Sequence, residues 1–349
     1  MPANIDLKSL SKADVYRFAA ERGLPKYRAN QLLHWMYERN VRSLQEITEF
    51  SKALRNGLAE GSYISNLELA DRQRSKDGTE KFLFSLEDGQ TVESVLIPDK
   101  DRLTLCISSQ AGCAMGCGFC LTGSMGLVRN LKAHEIIDQI ISVNRLIAPG
   151  RVTNIVLMGM GEPLANFDEV VEALWRMTGL MGISKRRVTL STSGLVPKML
   201  ELPAKAPDVN LAVSLNATTD EVRSRIMPVN RTYPIKELLD ACRRYPLKPR
   251  RRITFEYVLI GGVNDTRTDA KRLVKLLKGI PCKVNLIPFN PHDRSGMQRP
   301  SEETVLAFQK IISDSNMTVL IRESRGQDIL AACGQLRGKQ KQKKMEGRG

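Results

Sequence analysis

The chain has 349 residues, 42% of them hydrophobic and 26% charged, enough apolar content for a sizeable core. No run approaches the ~18 apolar residues of a membrane span, and the opening "MPANIDLKSLSKADVYRF" lacks the apolar centre of a signal peptide; a membrane or secreted protein is not expected, and a cytoplasmic one is. The net charge of +15 attracts phosphate backbones at long range and leaves a nucleic-acid partner open beside a merely solvated basic surface.

In chain order, residues 1–60 read as a small helical module. Ser11-x-x-Asp14 and Ser43-x-x-Glu46 are capping-box signals ahead of apolar residues at helical spacing, with Gly23 and Pro25 as punctuation between them. Residues 61–98 read as a β-hairpin extension, "EKFLFSL" and "QTVESVLIP" around an Asp88-Gly89 turn. From 99 to 335 strand-like runs ("LTLCI", "NIVLMG", "VTLST", "NLAVSL", "ITFEYVLI", "KVNLIPF", "TVLIR") alternate with helical patterns. That alternation means parallel strands joined by crossovers, as an open sheet or a barrel, with ligands at the carboxyl ends of the strands. Residues 336–349 form a basic tail, and further basic clusters lie at Lys185 to Arg187, Arg243 to Arg244 and Lys248 to Arg252.

Just after the first alternating strand comes "CAMGCGFC", which places Cys113, Cys117 and Cys120 in one Gly-containing loop. Thiols of a reducing compartment point to metal or catalysis rather than staples. A zinc site wants four ligands, and none of His34, His134 and His292 has paired-ligand spacing. A disulfide would leave one thiol over. An iron–sulfur cluster uses thiolate ligands, and three on a four-iron cube leave one iron open. On spacing alone, cluster, zinc and metal-free readings all stand. After the next strand, "MGMGEPL" offers Gly161 for close backbone approach and Glu162 as an acceptor.

The C-x3-C-x-aromatic-C form, with Phe119 at the aromatic position, resembles the radical S-adenosylmethionine (SAM) enzymes, and "GMGEP" resembles their GGE-type motif. That resemblance implies a partial (β/α)6 TIM-like barrel of α/β class. It also implies a [4Fe-4S] cluster on Cys113, Cys117 and Cys120, and SAM chelated at the open iron. "TVESVLIP", "TLCISSQAGCAMGCGFC", "RNL" and the closing "RESRGQDILAACGQL" resemble, across nearly the whole chain, the RlmN-type RNA methyltransferases acting on carbon 2 of adenine. This closer resemblance implies 23S ribosomal RNA and some transfer RNAs as substrates, with the helical module as an RNA-binding accessory domain. It also implies two SAM molecules per turnover and an electron donor such as flavodoxin for the cluster. Nothing in the sequence suggests an obligate dimer, and a monomer is expected.

By the same resemblance, the family's roles carry over to matching positions. Cys333 takes a methyl group from the first SAM, and a radical made from the second joins that methyl to adenine. Cys106 then releases the product, leaving a Cys106–Cys333 disulfide to be reduced. Glu93 is the base, on a strand face shared with Val95 and Ile97, where an apolar setting would disfavour its charge. From the residues alone, Cys106 reads as readily as a small core hydrophobe, and Glu93 as an exposed hairpin acid. Further SAM contacts carry over to Gly161, Glu162, Ser193, Ser214, Leu215, Asn216 and Asn290. Asn216 departs from the family's usual histidine; it keeps hydrogen bonding but cannot titrate near neutrality. Pro163 favours carbon 2 over the related carbon-8 resistance enzymes, which tend to read "MGMGEAL". A non-enzymatic cluster or zinc protein that binds RNA would leave Cys106, Glu93 and Cys333 unused. Cys242 and Cys282 are expected to be core residues.

Overall fold

The computed structural model describes residues 4–292, 295–336 and 338; apart from 336 and 338, the basic tail lies outside them. The chain opens with β1 (Ile5–Asp6), α1 (Lys12–Glu21), α2 (Lys26–Tyr37), α3 (Lys52–Ala59) and β2 (Ser62–Tyr63), the two short strands pairing in parallel to close the module. Ser11 caps α1 by accepting from the Asp14 amide, as its spacing predicts. Ser43 heads only a single 3-10 turn, and α3 begins later, where the Ser51 hydroxyl accepts from the Leu54 amide.

The extension is β3 (Glu68–Arg74), β4 (Glu80–Ser85) and β5 (Thr91–Asp99), antiparallel throughout and continued by β6 (Arg102–Cys106). The sequence reading missed β3. Its burial is almost uniformly low, as expected of an edge strand with charged side chains, so no apolar alternation marks it. β7 (Gln110–Cys113) and β8 (Gly126–Asn130) form a separate antiparallel pair enclosing the cysteine loop.

The alternating part continues as α4 (Ala133–Leu146), β9 (Asn154–Leu157), α5 (Phe167–Gly179), β10 (Val188–Thr192), α6 (Val196–Lys205), β11 (Asn210–Ser214), α7 (Asp220–Ile226), α8 (Ile235–Arg244), β12 (Ile253–Leu259), α9 (Arg267–Leu277), β13 (Cys282–Pro288), α10 (Glu302–Ser313) and β14 (Val319–Ile321). The ten-stranded sheet has the order β14-β13-β12-β11-β10-β9-β6-β5-β4-β3 and is parallel from β14 to β6. It stays open between β14 and β3, a partial barrel with the antiparallel extension on one margin.

Strand periodicity divides the two faces. In β12, Ile253, Phe255, Tyr257 and Leu259 join the core under the helices, while Thr254, Glu256 and Val258 face the inside. Leu211 and Val213 of β11, and Val284 and Leu286 of β13, join the same outer core. Ser214 and Ile287 are thereby turned inward. The inner face is the polar one, and the site is built there.

Candidate active site

Each parallel strand delivers its next residue to the same end of the sheet, so the loops after β6, β9, β10, β11 and β13 converge. Cys113, Cys117, Glu162, Ser193, Ser214 and Asn216 meet around a cavity of about 160 Å³. A second cavity, of about 440 Å³, lies between β5, β6 and the C-terminal loop, lined by Val95, Cys106, Asn290 and Cys333 among others. Cys120, Met158, Arg322 and Cys333 belong to the walls of both.

The cysteine loop turns at Gly116 (φ +62°), and the Gly118 amide is anchored on the Ile226 carbonyl at 2.9 Å. Burial pushes the Cys113 thiol up to about 12 and Cys117 well above its ordinary value. With Cys120 half-buried beside them, these thiols lose their protons most readily against a positively charged partner. Among the described residues no group of three or more His, Cys, Asp or Glu is arranged to hold a single metal ion. A cube that takes each thiolate on its own iron does not need such convergence. The donor set fits a cluster better than zinc.

Glu162 shows why its glycine-rich loop is needed. Its Oε2 accepts from the Ser193 amide at 2.7 Å and its Oε1 from the Leu164 amide at 3.0 Å, and its own amide donates to Gln110 Oε1 at 2.8 Å. Burial nonetheless dominates and raises its pKa. Gly161 sits at φ +105°, and a Cβ there would lie 2.6 Å from Gln110 Cβ, so the close approach admits only glycine. The ends of β10 and β11 are tied by Arg223, which is fully buried. Its guanidinium donates to the carbonyls of Ser193 (2.7 Å), Ser214 (3.1 Å) and Leu215 (3.0 Å). Burial lowers its pKa to about 10. Among the described residues, two buried polar atoms on this cavity lack a hydrogen-bond partner: the Ser193 hydroxyl, and Oε2 of Glu256, whose other oxygen accepts from Asn285 Nδ2 at 2.9 Å. Unsatisfied acceptors and donors facing a cavity mark where a polar ligand would sit.

The C-terminal loop is laid across the cysteine loop. The Leu121 amide donates to the Gly334 carbonyl at 2.7 Å, Thr122 Oγ1 to the Leu336 carbonyl at 2.5 Å, and Asn290 Nδ2 to the Cys333 carbonyl at 3.2 Å. Cys333 is thereby held at the junction of the two cavities. Cys106 ends β6, buried against Val95, Met160, Ala331 and Leu336, and burial pushes its thiol up to about 12. Glu93 is buried on β5, with Oε1 3.6 Å from Lys81 Nζ. Its face is not purely apolar, as the alternation with Val95 and Ile97 had suggested, because β4 brings a cation alongside.

Three residues carried over by motif sit differently from a simple ligand contact. Leu215 packs in the outer core and offers the cavity no side chain. Asn290 faces the larger cavity and holds the Cys333 loop. Asn216, at φ +56°, spends its Oδ1 on the Val258 amide (2.8 Å) and its Nδ2 near Met227 Sδ (3.2 Å). Sequence reasoning passed over Arg322, Glu256 and Gln110. Glu256 was signalled, since an acid inside the apolar run "ITFEYVLI" falls on the inner face by period 2. Arg322 was signalled too, at the carboxyl end of a strand.

Comparison with known proteins agrees with this geometry. A family profile for the Radical SAM superfamily matches residues 107–276, and one for the ribosomal RNA large subunit methyltransferase N-terminal domain matches residues 5–64. The dual-specificity RNA methyltransferase RlmN of Geobacter sulfurreducens is 54% identical over 351 residues, covering 100% of this chain and 96% of its own. The chain belongs to the RlmN family of radical SAM enzymes. The RlmN of Pelobacter propionicus is likewise 54% identical, with 97% of each chain covered. The crystal structure of a radical SAM methyltransferase from Sphaerobacter thermophilus superposes with a TM-score of 0.91 at 44% identity, covering 96% of this chain and all of that one. Membership in the RlmN family brings a [4Fe-4S] cluster and SAM. The thiol trio, with Cys113 and Cys117 buried and Cys120 half-buried, the narrow Gly161 approach and the orphaned polar atoms fit both groups. No helix among the described residues is long and apolar enough to cross a membrane.

Proposed function

We propose that this chain methylates carbon 2 of a specific adenosine in 23S ribosomal RNA, at the peptidyl-transferase centre. The adenosine 3′ of the anticodon in some transfer RNAs would be a second substrate. The observation that supports this reading best is the placement of Cys106 and Cys333 on one cavity whose wall is shared with the thiol trio. Carbon 2 lies between two electron-withdrawing nitrogens and has no lone pair, so it does not attack a methyl group as a nitrogen would. When bound, the cluster and two SAM molecules per turnover supply the methyl group and the radical chemistry.

The chain's own residues then divide the work. Cys113, Cys117 and Cys120 hold the cluster; Glu162, Ser193, Ser214 and the backbone at Gly161 and Asn216 orient SAM. Cys333 carries the methyl group on its sulfur, facing both cavities, with Asn290 positioning its loop. Cys106 attacks the Cys333 sulfur after transfer, forming an S–S bond as the sulfur–carbon bond to the RNA breaks. The released carbon takes up one proton, balancing the one the Cys106 thiol gives up, to become the methyl group. The disulfide is reduced for the next cycle. Glu93 takes the adenine proton. In this reading residues 1–60 are an RNA-binding accessory domain, 61–98 an extension that carries Glu93, and 99–335 the catalytic barrel. The chain works as a cytoplasmic monomer with an electron donor such as flavodoxin.

Mass spectrometry of 23S ribosomal RNA from cells with and without this protein tests the proposal. Loss of 2-methyladenosine from one position is expected. An unchanged base, or a methyl on carbon 8, would overturn it.

A further inference from the structure

A parallel sheet has two unlike ends, and the basic clusters that looked unrelated in sequence share one of them. Lys185 to Arg187 run directly into Val188 at the start of β10, and Lys248 to Arg252 into Ile253 at the start of β12. β11 lies between those strands, and its first residue stitches the clusters together. Asn210 Nδ2 donates to the carbonyls of Arg186 (2.9 Å) and Val188 (3.1 Å), while Arg251 Nη1 bonds Asn210 Oδ1. All of this lies at the amino ends of the strands. The thiol trio, Glu162 and Ser193 come after the carboxyl ends, so five to seven strand residues, roughly 17–23 Å, separate the two.

Some of these cations have local work. Arg243 Nη2 donates to the Leu276 carbonyl at 3.2 Å, Arg252 Nη1 to Thr318 Oγ1 at 2.9 Å, and Lys248 Nζ stands 3.4 Å from Asp208. Cations near helix carboxyl ends also offset the helix dipole. Arg186, Arg187 and Arg250 are different: they are exposed, and among the described residues none has an ion pair or side-chain hydrogen bond. At Lys185, the residue preceding Arg186, Trp175 is 47% exposed, its Nε1 donating to the Lys205 carbonyl at 2.8 Å and Lys185 Nζ lying 5.9 Å from the ring centre. Unpaired guanidinium groups bind phosphates, and an exposed aromatic ring with an ammonium near it offers nucleic acid a stacking surface.

We propose that this amino-terminal end of the barrel is a second RNA contact, gripping phosphates of a segment remote from the target adenosine. It rests on the reading of the chain as an RNA methyltransferase. A short stem-loop holding the target reaches only the catalytic end; a longer RNA engages both.

The test uses the full-length, cluster-loaded enzyme carrying Arg186→Glu, Arg187→Glu and Arg250→Glu together. Two probes are used: a stem-loop with the target adenosine, and a long 23S fragment containing the same stem-loop. Binding is read by fluorescence anisotropy across a potassium chloride series, and methylation by mass spectrometry. For the long fragment, affinity at low salt should fall about tenfold or more, and the salt slope should drop by about 2 to 3. The stem-loop should be bound and methylated as by the parent. Unchanged long-fragment binding would overturn the proposal and leave the face to an acidic protein. Equal losses on both probes would overturn it as well, since the patch would then act through the fold or the overall field. The same three positions changed to lysine should restore binding, because phosphate contacts need charge rather than a fork. Failure of the parent to methylate the stem-loop would count against the methyltransferase reading alone, since the binding comparison stands without turnover.

Discussion

Cys106 has two readings that a single side chain distinguishes. It is buried among apolar neighbours at the end of β6, which is where a small packing residue belongs. It also faces the cavity that Cys333 faces, near the guanidinium of Arg322, which opposes the burial that raises its pKa. If it only packs, Cys106→Ala costs some stability, about 1 kcal/mol for so small a truncation, and turnover is normal. If it releases the product, the steps before release proceed and the link between Cys333 and RNA persists. We expect the variant to accumulate as a covalent adduct, seen as a nuclease-sensitive upward shift on a denaturing gel. Adding Cys333→Ala should abolish the shift, because the attachment point is gone. A fully active, unlinked Cys106→Ala protein would end the two-thiol mechanism for this chain. The same residue shows how far sequence reaches. Its strand and its neighbours in the chain were legible, but Val95, Met160, Ala331 and Leu336 come from separate segments that only the fold brings together.

At the scale of elements, the helical module is fastened to the barrel by buried polar contacts. Lys8 Nζ lies 2.6 Å from Asp138 Oδ1 on α4 and donates to the Ser65 carbonyl at 2.7 Å. Arg176 on α5 reaches back to the Lys8 carbonyl at 2.6 Å and to the Tyr37 hydroxyl at 3.1 Å. Removing one partner of a buried ion pair strands the other charge, so Asp138→Ala should cost about 3–5 kcal/mol, whereas a Lys8→Met, Asp138→Leu double variant should cost far less. Urea unfolding of the two variants checks this, and equal losses would show that packing, not charge, fastens the module. None of this was readable beforehand. The caps, glycines and strand alternation that set each element are local signals, carried within a few residues. Lys8 and Asp138 are separated by 130 positions, and nothing in either segment names the other. α4 is almost wholly buried, its polar residues included.

For the molecule as a whole, the alternation of strand and helix was enough to imply parallel topology, and parallel topology alone puts the cysteine loop, "GMGEP" and "STSG" at one end. It also puts every basic cluster that precedes a strand at the other end. Weighing charge by amount, rather than by position along the strands, hid that arrangement at the level of sequence. The docking of the C-terminal loop over the cysteine loop could not be seen from motifs, since Thr122 and Leu336 are 214 residues apart. The finished core makes a prediction of its own. Burial pushes Tyr37, Tyr245 and Cys242 each up to about 12, because it disfavours their charged forms. Unfolded, these groups lose protons near their ordinary values of roughly 8.5 to 10. Their contribution to stability is therefore complete below that range and is lost as pH rises toward 12, by up to about 1.4 kcal/mol per pH unit for each group. The anaerobic urea midpoint should be flat from pH 7 to 8 and fall steadily from pH 9 to 11. Cluster loss at high pH would also lower the midpoint, but it would act on every variant alike. Tyr245→Phe should reduce the slope of the fall, since phenylalanine has no proton to lose. A Tyr245→Phe profile parallel to that of the parent would show that the Tyr245 hydroxyl titrates alike in the folded and unfolded chain.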